Sequence, residues 1–227
     1  MRHNRPKTAP TDGTINPPTR ADRDRRDNER PRVQAQIAAL AARLIAEGLT
    51  NYHAAKQKAA RQLGLTKDHA LPGNHEIEAA LREHLALFAG DTQPRALRAL
   101  RETAIGAMTR LEQFSPWLVG SVLSGIANEF SEIELELIGV EPKNFEMYLL
   151  NAGVDFEHRD GARRHAGERK LDAPQASYRL EFDRLPVVIM LYENHATRQS
   201  AHSGNSLMHE RAQRAEVERR FAESEKS

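Results

Sequence analysis

Residues 131–140, SEIELELIGV, alternate strictly between apolar and polar side chains as far as Leu137. The apolar set is Ile133, Leu135 and Leu137, and the acidic set is Glu132, Glu134 and Glu136. Because successive side chains of a strand point to opposite faces, this pattern predicts a strand that is buried on one face only. The second half of the chain must therefore build a sheet that covers the apolar face.

The segments around this strand predict the rest of a small sheet. A short apolar run, WLV, ends at Gly120, and residues 121–129 suit a turn and a short helix. Pro142 begins a further helix, and residues 157–176 are predicted to form a polar, basic loop. The run SYRLEF alternates again, and PVVIMLY suits a buried strand, with a hairpin turn at residues 183–185 between them.

Apolar residues in the first half recur at three- and four-residue spacings, which is the period of amphipathic helices. Helices are predicted from Arg32 to Gly48, from a cap at Thr50 or Asn51 to Gly64, from a cap at Asn74 to Phe88, and from Pro94 to about Phe114. Together with the sheet, they predict an α+β fold in which a helical N-terminal region precedes a small mixed sheet with packed helices.

Composition limits the class of protein. The chain has 227 residues, of which 39% are hydrophobic and 29% charged, and it contains no cysteine. Its 33 basic and 32 acidic residues leave a formal charge of +1, which gives no bulk attraction to nucleic acid. No segment approaches the roughly 18 apolar residues of a membrane span, and no secretory signal is seen. We expect a cytoplasmic protein without disulfides or a membrane partner.

The sequence predicts four regions along the chain. Residues 1–30 are predicted to be a disordered, basic and Pro-rich arm, because they contain too few large apolar side chains to form a core. Residues 31–113 form the helical region, residues 114–195 the α/β core, and residues 196–227 a polar, partly helical tail.

A glycine–serine pair precedes the alternating strand at a specific spacing. Gly120 and Ser121 follow the WLV run, Gly125 comes four residues after Ser121, and Ser131 opens the alternating segment. This arrangement resembles the signature of the nucleotidyltransferase superfamily with the polymerase-beta-like fold. In that family a Gly-Ser turn leads into a helix, and the next strand carries Ser-Asp-x-Asp. The resemblance implies a nucleotidyltransferase-like core over roughly residues 94–193.

The resemblance also implies roles for individual residues. Gly120, Ser121 and Gly125 would bind the phosphates of a nucleotide, because glycine permits close backbone approach and serine supplies a hydroxyl. Glu132 and Glu134 stand where the family has aspartates, and they would be the catalytic carboxylates that bind Mg²⁺ and an NTP. Each glutamate adds a methylene, which shifts its oxygens relative to the octahedral geometry that Mg²⁺ requires.

The family places a third carboxylate early in the last strand. That strand is PVVIMLY here, and Val188 occupies the position; Glu181 and Asp183 are the nearest substitutes. This departure favours a degenerate relative that binds a nucleotide, a nucleic acid or a protein partner without full catalysis. The alternative is an active Mg²⁺-dependent nucleotidyltransferase that moves NMP from an NTP to an unknown acceptor.

Two basic segments offer further hypotheses. The segment AAKQKAARQLG, residues 54–64, carries Lys56, Lys58 and Arg61 on one side. It predicts either an amphipathic bundle helix or, as a second alternative, a helix-turn-helix that binds nucleic acid through residues 50–90. The segment HRDGARRHAGERK, residues 158–170, suits either phosphate or RNA contacts or a solvated loop.

A narrower resemblance joins AAKQKAARQLG, LPGNHEIEAALREH and the degenerate core. The combination is similar to small uncharacterised proteobacterial proteins that often carry the label UDP-N-acetylmuramate–alanine ligase. That ligase needs a Gly-Lys-Ser/Thr phosphate loop, and the sequence contains no Gly-Lys pair. The ligase activity is therefore not predicted.

Overall fold

The computed structural model of the protein describes residues 20–49, 51–65, 71–159, 174–201 and 210–224. Helices precede and surround a five-stranded mixed sheet, which confirms the predicted α+β class. The helices are α1 (Arg20–Ala46), α2 (Tyr52–Gln62), α3 (Asn74–Phe88), α4 (Thr92–Arg110), α5 (Gly120–Ser124), α6 (Pro142–Asn151), α7 (His195–Ala201) and α8 (Arg214–Ser224). The strands are β1 (Trp117–Val119), β2 (Ile133–Ile138), β3 (Phe156–His158), β4 (Ala176–Phe182) and β5 (Leu185–Tyr192).

Helices α1, α2 and α3 form a core of their own, in which α2 and α3 both pack against α1. Helix α1 ends as predicted at Gly48, whose φ of 106° lets Leu49 N–H donate to the carbonyl of Leu44 at 2.9 Å. Asn51 caps α2, since its side chain accepts a hydrogen bond from Ala54 N at 2.8 Å.

Several helix starts differ from the predicted positions. Helix α1 begins at Arg20 and contains Pro31, so residues 20–30 are helical, whereas composition alone assigned them to the arm; residues 1–19 lie outside the described residues. Pro31 removes one N–H donor from the hydrogen bonds of α1, and the charged residues before it are of types that a helix accommodates. Gly73, and not Asn74, is the N-cap of α3, because its N–H donates to the carboxylate of Glu76 at 2.6 Å.

The sheet has the strand order β1-β2-β5-β4-β3. Strand β2 is antiparallel to β1 and parallel to β5, and β5 continues antiparallel to β4. The hairpin between β4 and β5 turns at Asp183 and Arg184, both with positive φ, as the twist of a two-residue hairpin requires. The predicted neighbours β1 and β2 are thus paired, with Leu118 opposite Leu135.

Strand β3 is an element that the sequence pattern did not predict. Its last two residues fall within residues 157–176, which were expected to be a loop, and it pairs antiparallel with the outer side of β4. Three residues are too few for alternation to be recognised against a polar background. Residues 160–173, which hold most of the basic segment, lie outside the described residues.

The apolar face of the sheet packs against α4 and α6 and forms the larger core. Helix α4 therefore belongs with the sheet, although it was predicted within the helical region. The tail also contributes to this core, since Val217 and Phe221 of α8 are buried there and Ala212 pairs with Leu118 at the edge of β1. Within the described residues, no helix has the length and apolar character to cross a bilayer.

Candidate functional site

A cleft of about 370 Å³ lies where the first three helices meet the polar side of the sheet. Ser121, Ser131, Glu132 and Glu134, all predicted from the motif or next to it, line its sheet side. Asn51, Tyr52, His53 and Asn74 line it from α2 and α3, and Asn128 and Arg159 lie in loops beside it. The fold thus brings the motif residues together and adds a wall of helical residues that no motif indicated.

The turn between β1 and α5 places the motif glycine directly beside a carboxylate. Gly120 has a φ of 75°, and a Cβ at this position would overlap Oε2 of Glu134. After α5, the carbonyl of Ser121 accepts hydrogen bonds from the N–H groups of Ile126 and Ala127 at 3.0 and 3.1 Å, which closes the chain reversal that follows the helix. The glycine is therefore required both by its backbone conformation and by the close approach of Glu134.

Gly125, the third residue for which the resemblance implies phosphate binding, lies at the end of α5. It ends α5 with a φ of 80°, and its carbonyl accepts a hydrogen bond from the Gln93 side chain at 3.2 Å. Gly125 is not among the residues that line the cleft. Its role in the structure is to reverse the chain after the short helix.

Glu134 lines the cleft together with Glu132. It lies in β2, opposite Val119 of β1 on one side and Val188 of β5 on the other. Burial, followed by the charge of Glu132, raises the pKa of Glu134 from 4.5 to about 7, while Arg159 opposes the shift. Near neutral pH, Glu134 thus exchanges between a charged acceptor and a neutral hydrogen-bond donor.

Glu132 is held by two arginines. Arg159 Nη1 donates to its Oε2 at 2.6 Å, and Arg179 Nε donates to its Oε1 at 2.9 Å. Both arginine side chains are 47% exposed, whereas that of Glu132 is 20% exposed. Each carboxylate oxygen of Glu132 therefore already has a cationic partner.

Glu136, the third acidic residue of the strand, is fully buried. Arg198 of α7 donates from Nε to its Oε2 at 2.7 Å, and the arginine side chain is itself only 6% exposed. The acidic face of β2 therefore carries three carboxylates in three environments. Both flanking glutamates are neutralised by arginine, and the central one faces the cleft.

The predicted third carboxylate is absent from the cleft lining. Val188 pairs in register with Glu134 and is buried, so an apolar side chain occupies that place. Glu181 lines a separate groove with Asp155 and Arg184, and Asp183 lies in the hairpin turn. In the part of the chain that the structure describes, no group of three or more acidic, histidine or cysteine residues could hold a metal ion. The donor set around Glu132 and Glu134 thus does not fit a two-metal centre.

Tyr52 lines the helical wall of the cleft, and its phenol is affected by the charge of Glu134. Burial raises the pKa of its phenol above its ordinary value, and the charges of Glu78 and Glu134 add to the shift. Sequence reasoning missed Tyr52 because it also fits the apolar stripe of α2. Arg159 lies in the basic segment for which phosphate contacts were one of the alternatives, but its pairing with Glu132 was not predicted. Sequence reasoning missed Arg179 because the fold alone brings it to Glu132.

The geometry of α2 and α3 bears on the helix-turn-helix alternative. Lys56, from the basic side of α2, lies near Glu76 and Glu78 of α3, and burial lowers the pKa of its ammonium group. The positive charge of Lys56 therefore interacts with these two glutamates of the protein itself. Binding of nucleic acid through residues 50–90 stays a prediction.

Comparisons of the chain with protein-family models, with curated proteins and with solved structures found no match. The resemblance to nucleotidyltransferases therefore stays a prediction from the sequence motif.

Proposed function

We propose that the protein binds a nucleotide in this cleft and does not carry out metal-dependent nucleotidyl transfer. The observation that carries the proposal is the pairing of Val188 with Glu134, beside a motif turn that keeps its glycine and serine. The turn that would receive a nucleotide is thus retained, while the third carboxylate that catalysis needs is replaced by an apolar side chain.

The size and lining of the cleft support a small polar ligand. A volume of about 370 Å³ falls within the range of small-molecule sites, which is roughly 300–1,000 Å³. Asn51, Tyr52, His53 and Asn128 supply hydrogen-bonding groups in addition to the motif residues. A nucleotide has both a polar base edge and phosphates, so it can use both walls of such a cleft.

Two observations make the active-enzyme alternative the weaker one. Two-metal catalysis needs carboxylate oxygens that are free to share the cations, whereas both oxygens of Glu132 accept from arginine. Glu181 and Asp183, the candidate substitutes for the missing acid, do not line the cleft. Mg²⁺ is therefore not assigned to this site, and no catalytic step is derived through it.

Calorimetric titration with ATP, GTP, CTP and UTP, each in Mg²⁺ and in EDTA, tests the proposal. We expect at least one nucleotide to bind with an affinity that changes little between the two buffers. Tyr52→Phe should weaken that binding, because it removes a hydroxyl from the cleft wall. Tyr148→Phe is the matched control, since its hydroxyl donates to Arg110 O at 2.9 Å outside the cleft.

Two results would contradict the proposal. If none of the four nucleotides binds, the cleft is not a nucleotide site. If a nucleotide binds only with Mg²⁺ and pyrophosphate is released when candidate acceptors are added, the protein is an active transferase.

A further inference from the structure

The cluster of Glu132, Arg159 and Arg179 has more cationic than anionic charge. One carboxylate bridges two guanidinium groups, which leaves one net positive charge within this cluster. Arg159 lines the cleft, whereas Arg179 lines a second groove with Glu157 and Glu181 and contacts Glu132 from that side. In the described part of the chain, Glu132 is the only carboxylate in ion-pair contact with either arginine. Glu157 lies opposite Arg179 on β3 without forming such a contact.

The two guanidinium groups keep donors available. Arginine has five N–H donors, and each of these arginines uses one of them on Glu132 in the contacts described. Both side chains are about half exposed, so the remaining donors can reach a ligand. Guanidinium groups match the oxygen spacing of phosphate and hold it by paired, charge-assisted hydrogen bonds.

We propose that Arg159 and Arg179, oriented by Glu132, bind the phosphate groups of the ligand. The inference rests on the proposed function for the identity of the ligand. The site itself selects a polyphosphate group, which either a nucleotide or free polyphosphate can supply.

Glu132 has a defined part in this arrangement. Its two oxygens accept from different arginines, one from the loop after β3 and one from β4, so it holds two cations from separate elements close together. A metal site would lose its cation if Glu132 became neutral. In the arginine site, the same change leaves both arginines charged, and the amide oxygen of Gln can still accept from one of them. It also removes a negative charge that repels phosphate.

The experiment uses three probes in EDTA: sodium tripolyphosphate, the nucleoside triphosphate that binds best, and the corresponding nucleoside. The variants are Arg159→Gln, Arg179→Gln and Glu132→Gln. Arg214→Gln is the matched control, because Arg214 also pairs with two residues, Glu112 and Glu218, but on α8 away from the cleft. Exposed ion pairs contribute little to stability, so the variants should fold, and a melting curve checks each one.

We expect Arg159→Gln and Arg179→Gln each to weaken binding of the nucleotide and of tripolyphosphate by about tenfold or more. Binding of the nucleoside should not change, and Arg214→Gln should behave like the wild type. Glu132→Gln should retain or strengthen binding of tripolyphosphate. If Arg159→Gln or Arg179→Gln unfolds, the Lys variant at the same position replaces it. Lysine keeps the positive charge of arginine but lacks its paired donors, so an intermediate affinity is expected.

The outcomes separate this inference from the proposed function. If the nucleotide binds and both arginine variants keep wild-type affinity, the inference is overturned and the proposed function stands. If tripolyphosphate binds through the arginines and no nucleotide binds, the proposed function fails and free polyphosphate is the ligand. If neither compound binds the wild type, both are overturned. Loss of all phosphate binding in Glu132→Gln would show that the charge of Glu132 does not oppose phosphate, and it would overturn the role given to this residue.

Discussion

The two faces of β2 arise from one alternating pattern, but their side chains lie in very different environments. On the apolar face, Ile133, Leu135 and Leu137 are all fully buried in one continuous core. On the acidic face, one glutamate is buried, one is bridged between exposed arginines and one faces a cleft. An apolar side chain needs only to leave water, whereas a carboxylate needs a particular partner. The acidic face is therefore where this strand differs from an ordinary half-buried one.

The largest expected effect comes from breaking the buried ion pair of the acidic face. Arg198→Met leaves the carboxylate of Glu136 without its arginine in a fully buried position. Loss of one partner of a buried ion pair typically costs about 3–5 kcal/mol. Urea denaturation at neutral pH should show this loss in the free energy of unfolding.

The double variant Glu136→Gln, Arg198→Met provides the control for that measurement. It removes both charges, so it should recover a substantial part of the lost stability. If Arg198→Met alone proves as stable as the wild type, the acidic face does not depend on this pair.

Leu135→Ala makes the matching change on the apolar face. Leu135 is 0% exposed and central in the strand, so the truncation should cost about 2–5 kcal/mol through lost burial and a cavity. Denaturation measures the effect, and nucleotide affinity at temperatures well below melting should be preserved. A neutral effect on stability would contradict the assignment of this face to the core.

Gly120→Ala tests the contact between the turn and the acidic face. The new Cβ would meet the carboxylate of Glu134, and alanine would be strained at a φ of 75°. The two effects together should cost about 2 kcal/mol or more, since backbone strain alone is worth about 1–3 kcal/mol. Thermal and urea denaturation of the variant provide the value.

A second variant separates the two causes. Adding Glu134→Ala to Gly120→Ala removes the overlap and leaves the strain, so stability should return in part. Full recovery would mean that the positive φ carries no cost, and no recovery would mean that Glu134 does not lie against the turn.

A smaller effect follows from the titration of Glu134. Its pKa is about 7 in the folded protein and 4.5 for an unperturbed glutamate, so the folded state binds more protons between these values. Wild-type stability should therefore fall as pH rises from about 4.5 to about 7. Glu134→Gln does not titrate, so its advantage over the wild type should grow through that window, by about 1–2 kcal/mol after allowance for solvent contact.

Urea denaturation at about pH 5 and about pH 8 checks this direction, with Glu181→Gln as the control for loss of an exposed carboxylate from the same sheet. An advantage of Glu134→Gln that is larger at the lower pH would contradict the raised pKa.

Local patterns in the sequence predicted four of the five strands, the hairpin at residues 183–185 and the cap at Asn51, because each depends on neighbouring residues. The place of Val188 beside Glu134 could also be anticipated from the order of the strands. The acidic and apolar faces of β2 followed from alternation alone.

The partners of the acidic face could not be predicted in the same way. Arg198 comes from the predicted tail, Tyr52 from the helical region, and Arg179 from a strand whose alternation does not indicate an ion pair. Their contacts join residues far apart in the chain, and one sequence does not reveal which distant residues meet. Helix α4 was assigned to the helical region for the same reason, since its apolar stripe does not indicate which core it joins.

The most direct test compares the Mg²⁺ dependence of nucleotide affinity in the wild type and in the double variant Glu132→Gln, Glu134→Gln. Calorimetric titration with the best-binding nucleotide, in Mg²⁺ and in EDTA, gives one affinity ratio for each protein. We predict that both proteins bind the nucleotide and that the ratio of the affinities in Mg²⁺ and in EDTA stays close to unity for each, because arginines hold the phosphates. A wild type that binds much more tightly in Mg²⁺, together with a double variant that has lost this response, would show that the two glutamates bind metal.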